Sequence, residues 1–181
     1  VEGLRGWGKS WVYDVQVLAG HPEGTITDAG SKGWELWTYC LNVCGVSLPI
    51  AFNTWVLLAM LACPVLAYAA ARSFELPPAA RLLATGMASA LLFFDSFTHW
   101  AWFVGMVSWT LASCLCPLTL GLFYQFMRTR KLSHAIGCAL ALGVGHLIHP
   151  YTFFALVAPI AALYGREAAT RLRGRRRGSC N

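Results

Sequence analysis

Four long apolar stretches decide what this chain can fold into. The first runs from Val46 to Ala71, "VSLPIAFNTWVLLAMLACPVLAYAAA", and stops at Arg72. After the Pro77-Pro78 connection, "LLATGMASALLFF" extends from Leu82 to Phe94, with Pro78 to Arg81 supplying a first turn that lengthens it enough to cross a bilayer. The third extends from Trp100 to Met127, carries Pro117 as a kink, and is closed by "RTRK". The fourth, Ser133 to Gly165, is too long for one span, and His149-Pro150 interrupts its middle, so it reads as two short helices in a hairpin. None shows the polar face that a helix of a soluble domain needs. Composition agrees: 57% of residues are hydrophobic and 12% charged, against about 25% charged in a soluble domain, and the mean hydropathy is +0.53. The expected class is therefore all-α, a polytopic transmembrane helix bundle of four to five membrane segments, preceded by an outer N-terminal loop with short surface helices.

Basic residues orient the spans. Arg72, Arg81, Arg128, Arg130, Lys131, Arg166 and the Arg171 to Arg177 cluster account for eleven of the fourteen Lys and Arg, and short basic loops stay in the cytoplasm. This predicts an extracytoplasmic loop over 1–45, a transmembrane region over 46–165 and a basic cytoplasmic tail over 166–181, with the "FDSFTHW" turn outside. Six of the eight acidic residues then lie on the outer side. A single tilted helix through Pro150 would put the arginine tail outside and break the same rule. The +6 net charge sits beside membrane spans, where it favours anionic lipid. Without a folded recognition module or interleaved aromatics, "RLRGRRRG" does not indicate a nucleic-acid partner.

The seven cysteines form no framework, and "CLCP" lacks a matching ligand set, so they read as packing residues and no metal is expected. Polar groups near membrane spans carry more information, because ionisable side chains there face a cavity or a partner. His146 and His149 are spaced three apart, on one face of a helix, and Asp95, Thr98 and His99 share a face if their turn is helical. Both groups come to the outer surface, where simple contact with water is the competing explanation. Haem ligation by His99 with His146 or His149 ranks last, since no "CxxCH" is present. Gly137, Ala141 and Gly145 form a small-residue stripe suited to close helix packing. Trp34, Trp37, Trp100 and Trp102 flank the outer boundaries as interfacial anchors.

The polar stretch "AGHPEGTITDAGSKGWELW" precedes the first span. Its glycines and Pro22 permit a compact loop, and "SKGWELWTYCLNV" offers an amphipathic segment along the surface. Asp14, His21, Glu23, Asp28 and Lys32 would face the same outer cavity as His99 and His149; mere solvation of these charges is the bland alternative.

An acidic residue in a first outer loop, the "GHPEG" turn, a following span and the later "GHLIHPYTFF" break resemble the bacterial multi-span membrane proteins grouped with the C-type glycosyltransferase superfamily, including those labelled 6-pyruvoyl-tetrahydropterin synthase-related membrane proteins. The resemblance covers residues 7 to 165. It implies an integral membrane enzyme of the bacterial inner membrane that takes a sugar from a polyprenyl-phosphate donor. It also implies an outer-loop carboxylate at the reaction centre, Asp14 first, with Glu23 and Asp28 as further candidates. Lys32, His21 or His149 would meet the phosphate, and Asp95, His99 and His146 would line the substrate site. The residues name no particular cofactor. Members have about twice as many spans, so a chain beginning at Val1 within an outer loop is expected to be a fragment. The rival class is a non-catalytic membrane subunit or a transporter fragment. A transporter places polar groups near the bilayer midplane, whereas here they gather at one face.

Overall fold

A computed structural model describes residues 12–14, 21–23, 32–96, 99 and 107–178. Two three-residue strands, β1 (Val12–Asp14) and β2 (His21–Glu23), pair antiparallel. Six helices follow among the described residues: α1 (Lys32–Val43), α2 (Leu48–Ser73), α3 (Pro78–Phe94), α4 (Val107–Thr129), α5 (Leu132–Ile148) and α6 (Tyr151–Gly178). The expected helical class holds, and the expected boundaries of the first two apolar runs fall close to those observed. Residues 100–106, the start of the third apolar run with Trp100 and Trp102, lie outside the described residues, as does Thr98.

Local chemistry sets the ends. Pro49 and Pro78 stand in the first turns of α2 and α3, where a missing N–H costs nothing. Gly45 ends α1 at φ 89°, with the Val46 N–H bonded to the Leu41 carbonyl at 3.0 Å, the left-handed cap that glycine adopts without strain. The same cap closes α2 with Glu75 in glycine's place at φ 60°. Its neighbour Leu76 donates to the Ala71 carbonyl at 3.2 Å. Glu75 is held there by its side chain, which accepts from Gln125 Nε2 at 3.1 Å and pairs with Arg128. Pro150 separates α5 from α6, and His149 before it is extended at φ −156°, ψ 126°. The interruption expected at these two residues is present.

Contacts between helices give their directions. Gln125 donates to the Ser73 carbonyl and to Glu75, 52 and 50 positions away, while Gly121 meets Ala70 and Ser73. Cys63 touches Cys114 two turns earlier, and the near-constant difference in residue number makes α2 and α4 parallel. Gly137 faces Leu122 and Gly145 faces Leu115, so one number rises as the other falls and α5 runs antiparallel to α4. α6 turns back beside α4, with Thr152 near Ser113 and Ile160 near Phe123. The α5–α6 hairpin predicted from the break is thus the observed path. α6 continues through the arginines to Gly178 rather than ending near Gly165.

The buried face of α2 is made of small residues. Ala51, Ala59, Cys63 and Ala70 form the buried face of α2, whereas Leu57, Leu61 and Val65 point outward. Bulky side chains outside and alanines inside reverse the order of a water-soluble core and let backbones approach closely. A Cβ on Gly121 would overlap Ser73 Oγ. Among the described residues, α2 and the Ser108–Thr129 part of α4 are long and apolar enough to cross a membrane. Only 17% and 39% of their most apolar windows are buried within the protein, unlike the core helix of a soluble domain. α3 and α5 are also apolar but have 17 residues each.

Candidate functional site

The helix directions gather the start of α2, the end of α3, the start of α4 and the α5–α6 break at one end of the bundle. α1 packs across this end. Trp34 meets Phe52 edge-on with ring centres 5.7 Å apart. Trp37 Nε1 donates to Thr54 Oγ1 at 3.1 Å, and its ring lies 6.4 Å from that of Trp55. These two tryptophans fasten α1 to α2. At the first turn of α1, a Cβ on Gly33 would lie 3.1 Å from Ile148 Cγ1 and 3.4 Å from Ile148 Cα. Glycine therefore lets Lys32 and His149, each one residue from this contact, come to the same corner.

Lys32 Nζ bonds Glu35 Oε1 at 3.0 Å within that first turn. His149 is half-buried; its Nδ1 accepts the Tyr151 N–H at 3.3 Å and its ring lies 5.1 Å from the Tyr151 ring. Beside it is a notch of about 40 Å³ lined by Trp109, Ser113, Cys116 and Thr152, room for about one water molecule. His146 does not share this position. It is exposed on α5, whereas His149 has left the helix, so the expected common helical face does not form. The extended backbone that Pro150 imposes on the preceding residue is the cause.

Asp95 caps α3 and is half-buried, and its carbonyl accepts the His99 N–H at 3.1 Å. His99 is exposed, and the shared face of Asp95, Thr98 and His99 falls partly outside the described residues. In the ribbon, Asp14 stands opposite His21, Tyr13 opposite Pro22 and Val12 opposite Glu23. Two of the residue types singled out in the N-terminal loop are therefore direct cross-strand neighbours. Asp28 lies outside the described residues. No cluster of three or more His, Cys, Asp or Glu suited to a metal ion occurs among the described residues. Cys40 and Cys44 are exposed and unbridged, while Cys63 and Cys114 touch across α2 and α4.

Sequence reasoning missed Trp109, Thr110, Ser113 and Thr152. The signal was the run Ser108, Thr110, Ser113, which sets hydroxyls on an apolar span where each must find a partner. Ser113 donates to the Trp109 carbonyl at 2.9 Å and Thr152 to the Gly145 carbonyl at 2.9 Å. Thr110 Oγ1 is buried with no hydrogen-bond partner. No protein-family model matches the chain, and neither a curated protein nor a solved structure matches it.

Proposed function

We propose that this is a multi-pass inner-membrane protein that transfers a sugar from a polyprenyl-phosphate carrier at its extracytoplasmic face. The outward-facing leucines and phenylalanines support a hydrocarbon surround. In that setting α3 and α5, each about 26 Å long at 1.5 Å per residue, cross a slightly thinned bilayer together with α2, α4 and the apolar half of α6. The helix directions agree with this arrangement: "RTRK" and the arginine end of α6 fall on one side, and His149 and α1 on the other.

The observation that carries the catalytic reading is the pairing of Asp14 with His21, ahead of the helix whose first turn brings Lys32 to the His149 corner. Inverting transfer needs a carboxylate to take the acceptor hydroxyl proton as the new C–O bond forms at the anomeric carbon. The bond to the lipid phosphate breaks in the same step, and the departing phosphate takes the electron pair. Asp14 serves as base, with Glu23 and Asp28 as its alternatives in the same loop. Lys32, His21 or His149 steadies the departing phosphate. Asp95, His99 and His146 bound the acceptor side.

The test is a transfer assay in membranes containing the protein, with Asp14→Asn, Glu23→Gln and Asp28→Asn made separately. Loss of the base should reduce turnover by about two to four decades at unchanged expression. Near-normal transfer by all three variants would return the loop to a solvated surface role. A collapse in Glu23→Gln alone would move the base to that residue.

A further inference from the structure

The seam between α2 and α4 brings two thiols together. Cys63 of α2 touches Cys114 of α4, and neither is bridged. Two turns further on, a Cβ on Gly121 would lie 3.4 Å from the Ala70 carbonyl oxygen. The difference in residue number is the same, so the thiol contact belongs to a regular parallel packing and not to one side-chain rotamer. On the same face of α2, Ala59 and Ala70 are buried on either side of Cys63. Small residues on both helices let the backbones approach closely, as a disulfide between helices requires: its Cα atoms stand about 4.4–6.8 Å apart. Sulfurs already in contact need to close by only about 2 Å to reach bonding distance.

The setting decides what such a pair becomes. Both cysteines lie inside the two helices long and apolar enough to cross a membrane. Two sulfurs are half the set that a tetrahedral ion takes, and no group of three or more ligating side chains occurs among the described residues. Two thiolates around a monovalent ion would leave a net charge in hydrocarbon. A disulfide is neutral and needs no further ligand. The two thiols also differ in access: Cys63 is 3% exposed, whereas Cys114 is half-buried and lines a cavity of about 420 Å³ between α2, α3 and α4. Cys114 is therefore the sulfur that an apolar reagent meets first, and Cys63 is the one that closes the bond.

We propose that Cys63 and Cys114 are a redox pair that closes a disulfide between α2 and α4 when oxidised by a lipid-soluble quinone. Two S–H bonds break and one S–S bond forms, and two electrons with two protons pass to the quinone, which leaves as the quinol. The oxidant is hydrocarbon-soluble because the thiols lie within apolar helices, and an acceptor of two electrons and two protons leaves no charge behind. The oxidant class rests on the membrane reading above, the pair rests on the α2–α4 seam, and neither rests on glycosyl transfer. Ser113, next to Cys114, lines the notch beside His149, so the closed bond fixes the turn of α4 that borders that notch.

The test uses the full chain in nanodiscs, first reduced and then exposed to tetramethylbenzoquinone, whose fully substituted ring cannot arylate a thiol. Alkylation of the remaining thiols in denaturant, followed by peptide mapping without reductant, should find Cys63 linked to Cys114 and both Cys116 and Cys138 alkylated. One quinol should appear per linked chain. The oxidised protein should melt at a higher temperature than the reduced one. Cys63→Ala and Cys114→Ala keep small side chains in the seam and should melt alike with and without quinone. Oxidised glutathione, a polar oxidant, should form the link more slowly by about tenfold or more, since exchange depends on access to the sulfur. Two free thiols after quinone treatment overturn the proposal, and so does a link that joins Cys114 to Cys116 or to another chain. Equal rates with quinone and glutathione also overturn it, because the pair would then be open to water. Release of the protein from membranes by alkaline carbonate would defeat the membrane reading itself, whereas retention with both thiols free defeats only the redox pair.

Discussion

Thr152 Oγ1 donates to the Gly145 carbonyl at 2.9 Å, tying the first turn of α6 to the last turn of α5 across the Pro150 break. A Cβ on Gly145 would lie 2.6 Å from Thr152 Cγ2 and 3.3 Å from Leu115 Cδ2. The hydrogen bond and the close approach depend on each other, because only glycine admits the threonine methyl beside the carbonyl it bonds.

Gly145→Ala should therefore destabilise the protein by about 1–3 kcal/mol through overpacking. In a Thr152→Ala background the cost should be smaller, since the nearest clashing atom is gone, and the two changes should be non-additive. Thermal unfolding of the four proteins in one detergent measures the coupling. Strict additivity would mean that the two residues act apart.

Glu75 offers a backbone experiment. Its left-handed conformation disfavours any residue with a Cβ by about 1–2 kcal/mol, and its carboxylate contacts with Gln125 and Arg128 hold it there. Glu75→Ala loses the anchors and keeps the Cβ, whereas Glu75→Gly loses both. The glycine variant should be the more stable of the two by about 1 kcal/mol. Equal melting temperatures would place the strain elsewhere.

Topology can be read with thiol reagents. Cys40 and Cys44 on α1 are exposed and should react with an impermeant maleimide in intact cells. A cysteine introduced by Arg130→Cys should react only after permeabilisation, and a reporter fused after Arg177 should lie in the cytoplasm. A reporter outside would contradict the α5–α6 hairpin as a membrane-crossing pair.

Trp37→Phe keeps a ring against Trp55 but removes the hydrogen bond to Thr54. Hydrogen exchange across residues 33–43 should accelerate about two- to tenfold, the worth of one net hydrogen bond. Trp34→Phe keeps an edge contact with Phe52 and should change exchange less. If both variants exchange alike, α1 is held mainly by Gly33 against Ile148.

The helices were legible because hydrocarbon-length runs, prolines and arginines punctuate them. Pro78 and the His149-Pro150 pair mark real boundaries, since each proline acts on its own backbone and its neighbour's whatever surrounds it. The same locality misled at His146 and His149: their spacing suits a helix face, but Pro150 extends the second residue. The Asp14–His21 register could not be read, because a strand pair this short carries too little alternation to declare itself. Thr110 was overlooked for another reason. Sequence shows a hydroxyl on a span but not whether a carbonyl one turn earlier satisfies it.

Trp109 is a partition. It lines the notch beside His149 and also a cavity of about 420 Å³ between α2, α3 and α4, so the two spaces share one wall. A smaller side chain at this position would therefore widen both spaces at once and bring the cavity between the helices up to the histidine notch.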